Sequence, residues 1–344
     1  MRRSTSPVGL LFVIATFGCG GSSAPLSIAQ LGVITDLGSL DEPRGQSIAK
    51  FINDRGEVVG SSAPTFAGSF NHTFRWTREG GLEDLSDAMS SPNGLSESGD
   101  VVGEFTRATD VPEFVQPYPM VIRGTERIRL SDAPGIAWGV NDLGVVVGCE
   151  PDGGTVAGRC WTWDGGIIEM LPDTIRAVAI NNEGEIVGFP RDRIGGDGQG
   201  LALQGQEVRR IPTFGGLRSR PADIDEQGRI VGGAERTDGV LQAFLAAPDG
   251  SIKNLGSLAD HFSEAVAINE QGVVVGSTAV LEGGARAFIY HRSMGLRALE
   301  DFLPPDSGWT LEEALDVNES NQIVGRGSRD GLFRAFLLDL SVGG

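Results

Sequence analysis

A unit of about 44 residues recurs seven times along this chain of 344 residues. Each copy ends a short apolar run at a glycine, which we call the closing glycine. A fixed period of this length indicates a solenoid or a propeller, in which each unit is one small supersecondary structure. The closing glycines are Gly60, Gly103, Gly148, Gly188, Gly232, Gly276 and Gly325.

Each closing glycine is preceded by the residues of a tight turn. Four positions before it stands a second glycine, replaced in the seventh copy by Asn321, and three positions earlier stands Asn, Asp or Ser. These small polar residues open type I turns, and glycine supplies the left-handed residue of a bulged hairpin. Asn321 fits this interpretation because asparagine also tolerates a positive φ. The turn openers are Asn53, Ser96, Asn141, Asn181, Asp225, Asn269 and Asn318.

Two further strands follow each hairpin. A third strand is predicted after a variable loop, as at residues 243–245, and a fourth after a glycine-containing turn, as at residues 250–255. Four antiparallel strands per unit are typical of a propeller blade. The 51 glycines argue against helices, whereas 40% hydrophobic residues are sufficient for a core. The sequence therefore predicts an all-β, seven-bladed β-propeller.

The two ends of the chain divide one unit between them. The seventh copy stops after its third strand, at residues 336–338, while residues 33–40 at the front match the fourth strand of another copy at residues 253–258. We therefore expect the N-terminal strand to complete the last blade and close the ring. Residues 31–344 are predicted to form this single propeller.

The first 30 residues have the parts of an export signal. Arg2 and Arg3 precede an apolar run that is too short to span a membrane, and a small residue stands before Cys19. These parts resemble a bacterial lipoprotein signal over residues 1–18, with lipid on Cys19 and a tether over residues 19–30. Thr16 departs from the usual leucine, so a soluble product cleaved near Ala24 is the alternative. We expect an outer-membrane or cell-surface lipoprotein, or otherwise a secreted or periplasmic protein.

Two more cysteines remain if Cys19 carries a lipid. Cys149 and Cys160 are separated by ten residues across one predicted strand-loop-strand connection. In an oxidising compartment such a pair can form a disulfide, and the alternative is two buried thiols. No zinc site is expected, because none of the three histidines shows ligand spacing.

Several sequence segments of the repeat resemble the motifs of the bacterial extracellular HAF-repeat family. They are residues 263–269 with 272–277, then Arg286-Ala287-Phe288, and residues 36–40. The likeness covers residues 31–338. The His-Ala-Phe triplet is degenerate here, so the resemblance implies a structural role for the phenylalanine rather than a role for the histidine. It implies an exported propeller and no particular reaction.

Loop lengths separate the two faces of the predicted propeller. The first-to-second turns hardly vary, whereas the second-to-third and fourth-to-first loops vary widely, so we expect the variable face to bind ligands. A recurring aspartate on that face could form a Ca²⁺-binding ring, although such residues also serve simply as solvated turn residues. The candidate ligand-binding residues are Asp41, Asp87, Asp132, Asp173, Asp260 and Asp306, with Arg218 and Arg220 replacing the aspartate after the fourth blade. Loop aromatics for sugar stacking, or for loop packing, are Phe66, Phe70, Phe114 and Trp309.

Charge and motifs limit the function classes. With 28 basic against 46 acidic residues the formal charge is −18, which argues against a nucleic-acid partner. No nucleophile or phosphate-binding motif is present, so no catalytic residue is assigned. We expect a monomeric, non-enzymatic binding or scaffold module for an envelope protein or glycan, touching the membrane only through its lipid. The alternatives are a glycan-active hydrolase or lyase and a purely structural surface domain.

Overall fold

The computed structural model describes residues 31–41, 44–63, 72–87, 89–108, 115–151, 158–191, 198–259, 261–280 and 284–341. Across these ranges, 28 strands form seven four-stranded antiparallel sheets. The prediction of seven four-stranded blades is therefore confirmed. The single helical element among the described residues is a short 3-10 helix, Leu299–Phe302, which the sequence pattern did not predict.

The strands follow the chain in blade order. The chain begins with β1 (Val33–Asp36), and blade 1 contains β2 (Gln46–Ile52), β3 (Val58–Ala63), β4 (His72–Thr77) and β5 (Gly81–Asp84). Blade 2 contains β6 (Ser91–Leu95), β7 (Val101–Ala108), β8 (Val115–Arg123) and β9 (Glu126–Arg129). Blade 3 contains β10 (Ile136–Val140), β11 (Val146–Cys149), β12 (Cys160–Asp164) and β13 (Ile167–Met170).

The remaining blades repeat this order. Blade 4 contains β14 (Ile175–Ile180), β15 (Ile186–Pro190), β16 (Leu201–Gln204) and β17 (Glu207–Arg210). Blade 5 contains β18 (Gly215–Ile224), β19 (Ile230–Arg236), β20 (Leu241–Ala246) and β21 (Ile252–Gly256). Blade 6 contains β22 (Ser263–Ile268), β23 (Val274–Ala279), β24 (Ala285–His291) and β25 (Gly295–Ala298). Blade 7 contains β26 (Trp309–Val317), β27 (Gln322–Arg329) and β28 (Leu332–Asp339).

The N-terminal strand completes blade 7. β1 pairs antiparallel with β28, with Val33 opposite Asp339 and Asp36 opposite Phe336, and the sheet order is β1-β28-β27-β26. The predicted ring closure is therefore present. The first strands of neighbouring blades contact one another around the whole ring, including β26 against β2, so these strands surround a central channel.

The hydrophobic core lies between blades rather than at the centre of the ring. The described residues form seven clusters of buried apolar side chains, and each cluster draws its members from two neighbouring blades. The cluster between blades 7 and 1, for example, contains Leu37, Phe74 and Leu337. Burial of these side chains is the main favourable term in holding adjacent blades together.

A β-bulge in every first strand explains the closing glycines. The register shifts three residues before each turn opener, as between Ala49 and Phe51 in blade 1. A Cβ at Gly60 would lie 2.1 Å from the carbonyl oxygen of Ile48 and 2.6 Å from the Phe74 ring. Corresponding carbonyl clashes at 1.9–2.7 Å occur at the other six closing glycines. The bulge and the third-strand aromatic thus leave no room for a side chain.

The disulfide partners lie opposite each other on β11 and β12 of blade 3. The sulfur atoms of Cys149 and Cys160 are bonded, at 2.04 Å. Both residues are buried in the cluster between blades 3 and 4, with Ile175 and Leu201. This covalent link joins the second and third strands of one blade.

One local expectation was wrong. Arg218 and Arg220 lie within β18 rather than in the connection before blade 5. Strand β18 extends further because its first residues pair with Ala234 and Arg236 of a long β19. In the described part of the chain, no helix is both long enough and apolar enough to cross a membrane.

Candidate functional site

A cavity of about 670 Å³ occupies the central channel at the face that carries the Asn-x-x-Gly turns. We call this side the turn face, and the side with the second-to-third and fourth-to-first connections the loop face. The last residues of all seven first strands line the cavity, together with residues of the turns. The volume falls in the range of small-molecule sites, about 300–1,000 Å³.

Carboxylates surround the mouth of this cavity. The residue after each turn opener is acidic in six blades and an amide in blade 4. We call these seven residues the rim: Asp54, Glu97, Asp142, Asn182, Glu226, Glu270 and Glu319.

Hydrogen bonds join the rim into a closed circle. The backbone N–H of each rim residue donates to the side-chain oxygen of the rim residue in the next blade, with distances of 2.6–3.0 Å. The circle crosses the chain ends without a break, because the Glu319 N–H donates to Asp54 Oδ1 at 2.8 Å. Each rim side chain therefore ties two blades together as well as contributing charge to the mouth.

Packing carboxylates this closely changes their proton affinity. Burial raises the pKa of Glu97 to about 7, and the neighbouring charges of Asp54 and Asp142 act in the same direction. Burial and neighbouring carboxylates likewise raise the pKa of Glu226 and of Glu319. Burial is the larger cause of each increase, and the neighbouring carboxylates add to it.

The turn openers form a second layer of contacts between blades. The side-chain amide of Asn318 donates to the Asn53 carbonyl at 3.0 Å, and Asn269 donates to the Asn318 carbonyl at 2.9 Å. Blade 5 has Asp225, which cannot donate. Arg229 pairs with Asp225 and supplies the missing donor to the Asn269 carbonyl at 3.2 Å.

Two acids lie deeper, in the channel wall. Asp223 and Asp316 stand two residues before their turn openers and both line the cavity. Asp223 Oδ2 accepts the N–H of Ile268 in the next blade at 3.0 Å, and Asp316 Oδ2 accepts that of Ile52 at 2.8 Å. Burial raises the pKa of each to about 7, and nearby carboxylates add to the effect. We call this pair the channel acids.

The rest of the wall is largely apolar. Phe51 and Trp138 are half-buried in it, and smaller side chains such as Val178 and Val266 complete it. Among the described lining residues Lys50 is the one cation. Its amine lies 3.4 Å from the Pro92 carbonyl oxygen, burial lowers its pKa, and the charge of Glu104 opposes that shift.

Three of the six aspartates expected to bind ligands on the loop face lie beside an arginine. Asp87 pairs with Arg127 at 2.9 Å, Asp173 pairs with Arg191 at 2.9 Å, and Asp132 lies 3.9 Å from Arg129. Asp41 and Asp306 belong to separate connections. The part of the chain described contains no group of three or more Asp, Glu, His or Cys residues that could hold a metal. Asp260 and Cys19 lie outside the described residues, as do the loop aromatics Phe66, Phe70 and Phe114.

Trp309 is a core residue rather than a platform for sugar. Its side chain is buried and its ring meets that of Phe336 edge to face, with centroids 6.2 Å apart. Trp309 is therefore not available for stacking on a sugar ring. His291 ends β24 at the turn face, where its Nδ1 lies 2.7 Å from Ser293 Oγ, and no acidic side chain is hydrogen bonded to the ring in the described contacts.

Sequence analysis did not predict the site on the turn face, although the repeat carries a pattern that indicates it. An acidic residue directly follows the turn opener in six of the seven repeats. The uniform length of the turns suggested a purely structural face, and loop variation directed attention to the opposite side. The channel acids were harder to find, because only two of the seven repeats carry them.

No protein-family model matches the chain, and no curated protein matches its sequence. Solved structures match in fold. The β-propeller domain of the Trilobed protease from Pyrococcus furiosus has a TM-score of 0.57 at 11% identity, covering 86% of this chain and 93% of that one. An acylaminoacyl peptidase has a TM-score of 0.54 at 13% identity, covering 86% of this chain and 51% of that chain. At such identities the likeness shows the fold alone.

A third similar structure is TolB from Acinetobacter baumannii, with a TM-score of 0.46 at 13% identity over 86% of this chain and 79% of that one. The Pyrococcus propeller has an open velcro topology. Here the ring is closed instead by β1. The chain is a β-propeller.

Proposed function

We propose that this protein is a non-enzymatic binding module that takes a small ligand into the central channel from the turn face. The observation that carries the proposal is the cavity of about 670 Å³, which is lined by residues of all seven blades and bordered by the rim. Apolar walls with a few convergent polar groups are the usual composition of a ligand site. The proposal moves the binding surface from the loop face to the turn face.

The site can be tested by filling it. Ala222 is the bulge residue of blade 5 and lines the cavity, so Ala222→Trp should occupy the space that a ligand needs. The matched control is Ala133→Trp, at an exposed position on the loop face. Thermal-shift screening of wild type against sugars, short peptides, organic amines and divalent ions identifies binders, whose affinities are then measured by calorimetry in all three proteins.

We expect binders to lose at least tenfold in affinity with Ala222→Trp and to be unaffected by Ala133→Trp. The reverse pattern would place binding on the loop face. If no compound in the screen shifts the melting temperature, the result would contradict the binding function and favour a purely structural surface domain.

We also propose that the propeller is exported and held at the envelope by a lipid on Cys19, with residues 1–18 as signal and 19–30 as tether. The disulfide of blade 3 supports an oxidising compartment. The likeness to the HAF-repeat family has the same implication and remains a hypothesis. A Cys19→Ser protein should lose palmitate labelling and membrane fractionation, and normal processing and anchoring of that variant would contradict the lipid assignment.

A glycan-active hydrolase or lyase is the second candidate, and one observation favours it. The channel acids have pKa values raised to about 7 beside aromatic wall residues, and paired carboxyl groups perform glycosidic cleavage. Release of reducing ends from envelope polysaccharides, abolished by Asp223→Asn or Asp316→Asn, would establish it. Stoichiometric binding of a glycan without any product would exclude it for that glycan.

A further inference from the structure

We propose, as a refinement that rests on the proposed function, that the ligand of the channel is an organic cation: an ammonium or guanidinium group on an apolar body. Nine carboxyl-bearing residues and one amine line the cavity. A cavity so biased in charge attracts cations and repels anions. The acidic lining residues are Asp54, Glu97, Asp142, Asp223, Asp225, Glu226, Glu270, Asp316 and Glu319.

The wall favours an organic cation over a bare metal ion. Calcium needs six to eight oxygen ligands gathered around one point. No metal-ligating cluster exists among the described residues. Phe51 and Trp138 instead present aromatic surface, which binds the apolar part of a ligand and attracts ammonium groups through its π face.

The channel acids and the aromatic wall residues belong to different blades, and Asp316 adjoins Phe51 through the Ile52 N–H. The channel acids belong to blades 5 and 7, and the equivalent positions in the other blades hold phenylalanine, glycine or alanine. Phe51 and Trp138 belong to blades 1 and 3. We expect the cationic group of the ligand to lie at Asp223 and Asp316 and its apolar body to lie against Phe51 and Trp138.

Lys50 reinforces this orientation. Its amine reaches across to blade 2, within 3.4 Å of Ser91 Oγ and of the Pro92 carbonyl oxygen. A positive charge on that side repels the cationic end of a ligand and leaves the side of blades 5 and 7 as its place of lowest energy. Because the pKa of each channel acid is raised to about 7, the negative charge on this side increases as the pH rises past 7.

The test uses the complete propeller and three probes of similar size. They are 2-phenylethylamine as the cation, 2-phenylethanol as the neutral analogue and 3-phenylpropanoate as the anion, with CaCl₂ as a fourth ligand. We expect calorimetry at pH 8 to give an affinity for the amine at least tenfold above that for the alcohol, and no heat from the anion. Equal binding of amine and alcohol, or preference for the anion or Ca²⁺, would overturn the proposal.

Variants locate the cation. Asp316→Asn and Asp223→Asn should each weaken amine binding at least fivefold and leave alcohol binding unchanged, whereas the exposed control Asp249→Asn should change neither. Because the two variants also alter contacts between blades, a second measurement uses wild type alone. Its affinity for the amine should rise several-fold from pH 6 to pH 8, and a flat profile would contradict the role of the channel acids.

Failure of this inference can be told from failure of the proposed function. If Ala222→Trp abolishes binding of a neutral ligand while the amine has no advantage, the channel is a binding site without cation preference. If no ligand responds to Ala222→Trp, both the channel function and its ligand class are wrong.

Discussion

Two glycines in each blade are required for different physical reasons. The turn glycines hold positive φ values, such as +80° at Gly272, and Asn321 adopts +58° in their place. The closing glycines lie outside that region, and it is the carbonyl of the bulged strand that excludes a side chain from them. One is a requirement on backbone torsion and the other a requirement on space.

This difference predicts unequal costs in blade 6. Gly276→Ala would bring a Cβ to 2.1 Å from the Glu264 carbonyl oxygen, and we expect a loss of about 3 kcal/mol in the free energy of unfolding. Gly272→Ala meets only the end of the flexible Arg229 side chain and should cost about 1 kcal/mol for its positive φ. Urea denaturation of the two variants checks this order. Equal losses would mean that the bulge relaxes around the added methyl group.

A buried serine connects blade 1 to blade 7. Ser47 Oγ accepts the Ala335 N–H at 2.9 Å and donates to the Gly38 carbonyl at 2.5 Å. Ser263 makes the same two contacts between blades 6 and 5. The serine thus satisfies a backbone donor in the third strand of the preceding blade.

Ser47→Ala should therefore destabilise the propeller by about 1–3 kcal/mol, because the buried Ala335 N–H loses its acceptor. Ser320→Ala, at an exposed turn position, is the control and should change stability by less than about 0.5 kcal/mol. Chemical denaturation measures both. A neutral Ser47→Ala variant would mean that water or a shift of β1 replaces the hydroxyl.

At the scale of the element, β1 differs from the other described strands because it joins its blade from the opposite end of the chain. It pairs with β28 over four residues, and Leu37 packs into the cluster between blades 7 and 1. The Leu37 N–H also donates to the Ala335 carbonyl at 3.0 Å. Without this strand, the outer edge of β28 and part of that cluster would be exposed to water.

Deleting residues 29–40 should lower the melting temperature and expose the edge of β28. Hydrogen exchange should show the loss of protection concentrated in β27 and β28, with blades 3 and 4 unchanged. Adding a peptide of residues 31–41 in trans should restore protection, which serves as the control for general misfolding. An unchanged melting curve would contradict a role for β1 in closing the ring.

Strand content was predictable because each blade repeats the same local chemistry. The Asn-x-x-Gly turn fixed where the first hairpin of each blade begins, and the split unit at the chain ends fixed the closure. Asp223 and Asp316 were not predictable, because a carboxyl group in the wall appears in two repeats only and its environment depends on the curvature of the ring. Loop length was a misleading guide, since the cavity lies behind the turns of constant length.

For the whole molecule, the raised pKa values have a consequence for stability. In the folded protein Glu97, Asp223 and Asp316 hold protons up to a pKa of about 7, whereas their ordinary values are 4.5 for glutamate and 3.8 for aspartate. Between those limits the folded state binds more protons than the unfolded state. The free energy of unfolding therefore falls as the pH rises from about 4 to about 7.

We expect urea denaturation to show a loss of a few kcal/mol between pH 5 and pH 8, since one pKa unit corresponds to about 1.4 kcal/mol. Asp223→Asn and Asp316→Asn should each make this dependence shallower, whatever their effect at a single pH. Asp249→Asn is the matched control and should leave the slope unchanged. Stability that rises over this interval would contradict the burial of these acids.

The hydrogen bonds of the rim all run in the same sense around the channel, each blade donating to the next. Such a homodromic circle has no terminal donor and no terminal acceptor. The bond from Glu319 to Asp54 joins residues 265 positions apart and is chemically the same as the bonds between consecutive blades. The backbone contacts at the channel mouth are therefore continuous around the ring, and a ligand entering there meets the same type of contact between blades 7 and 1 as between any other two blades.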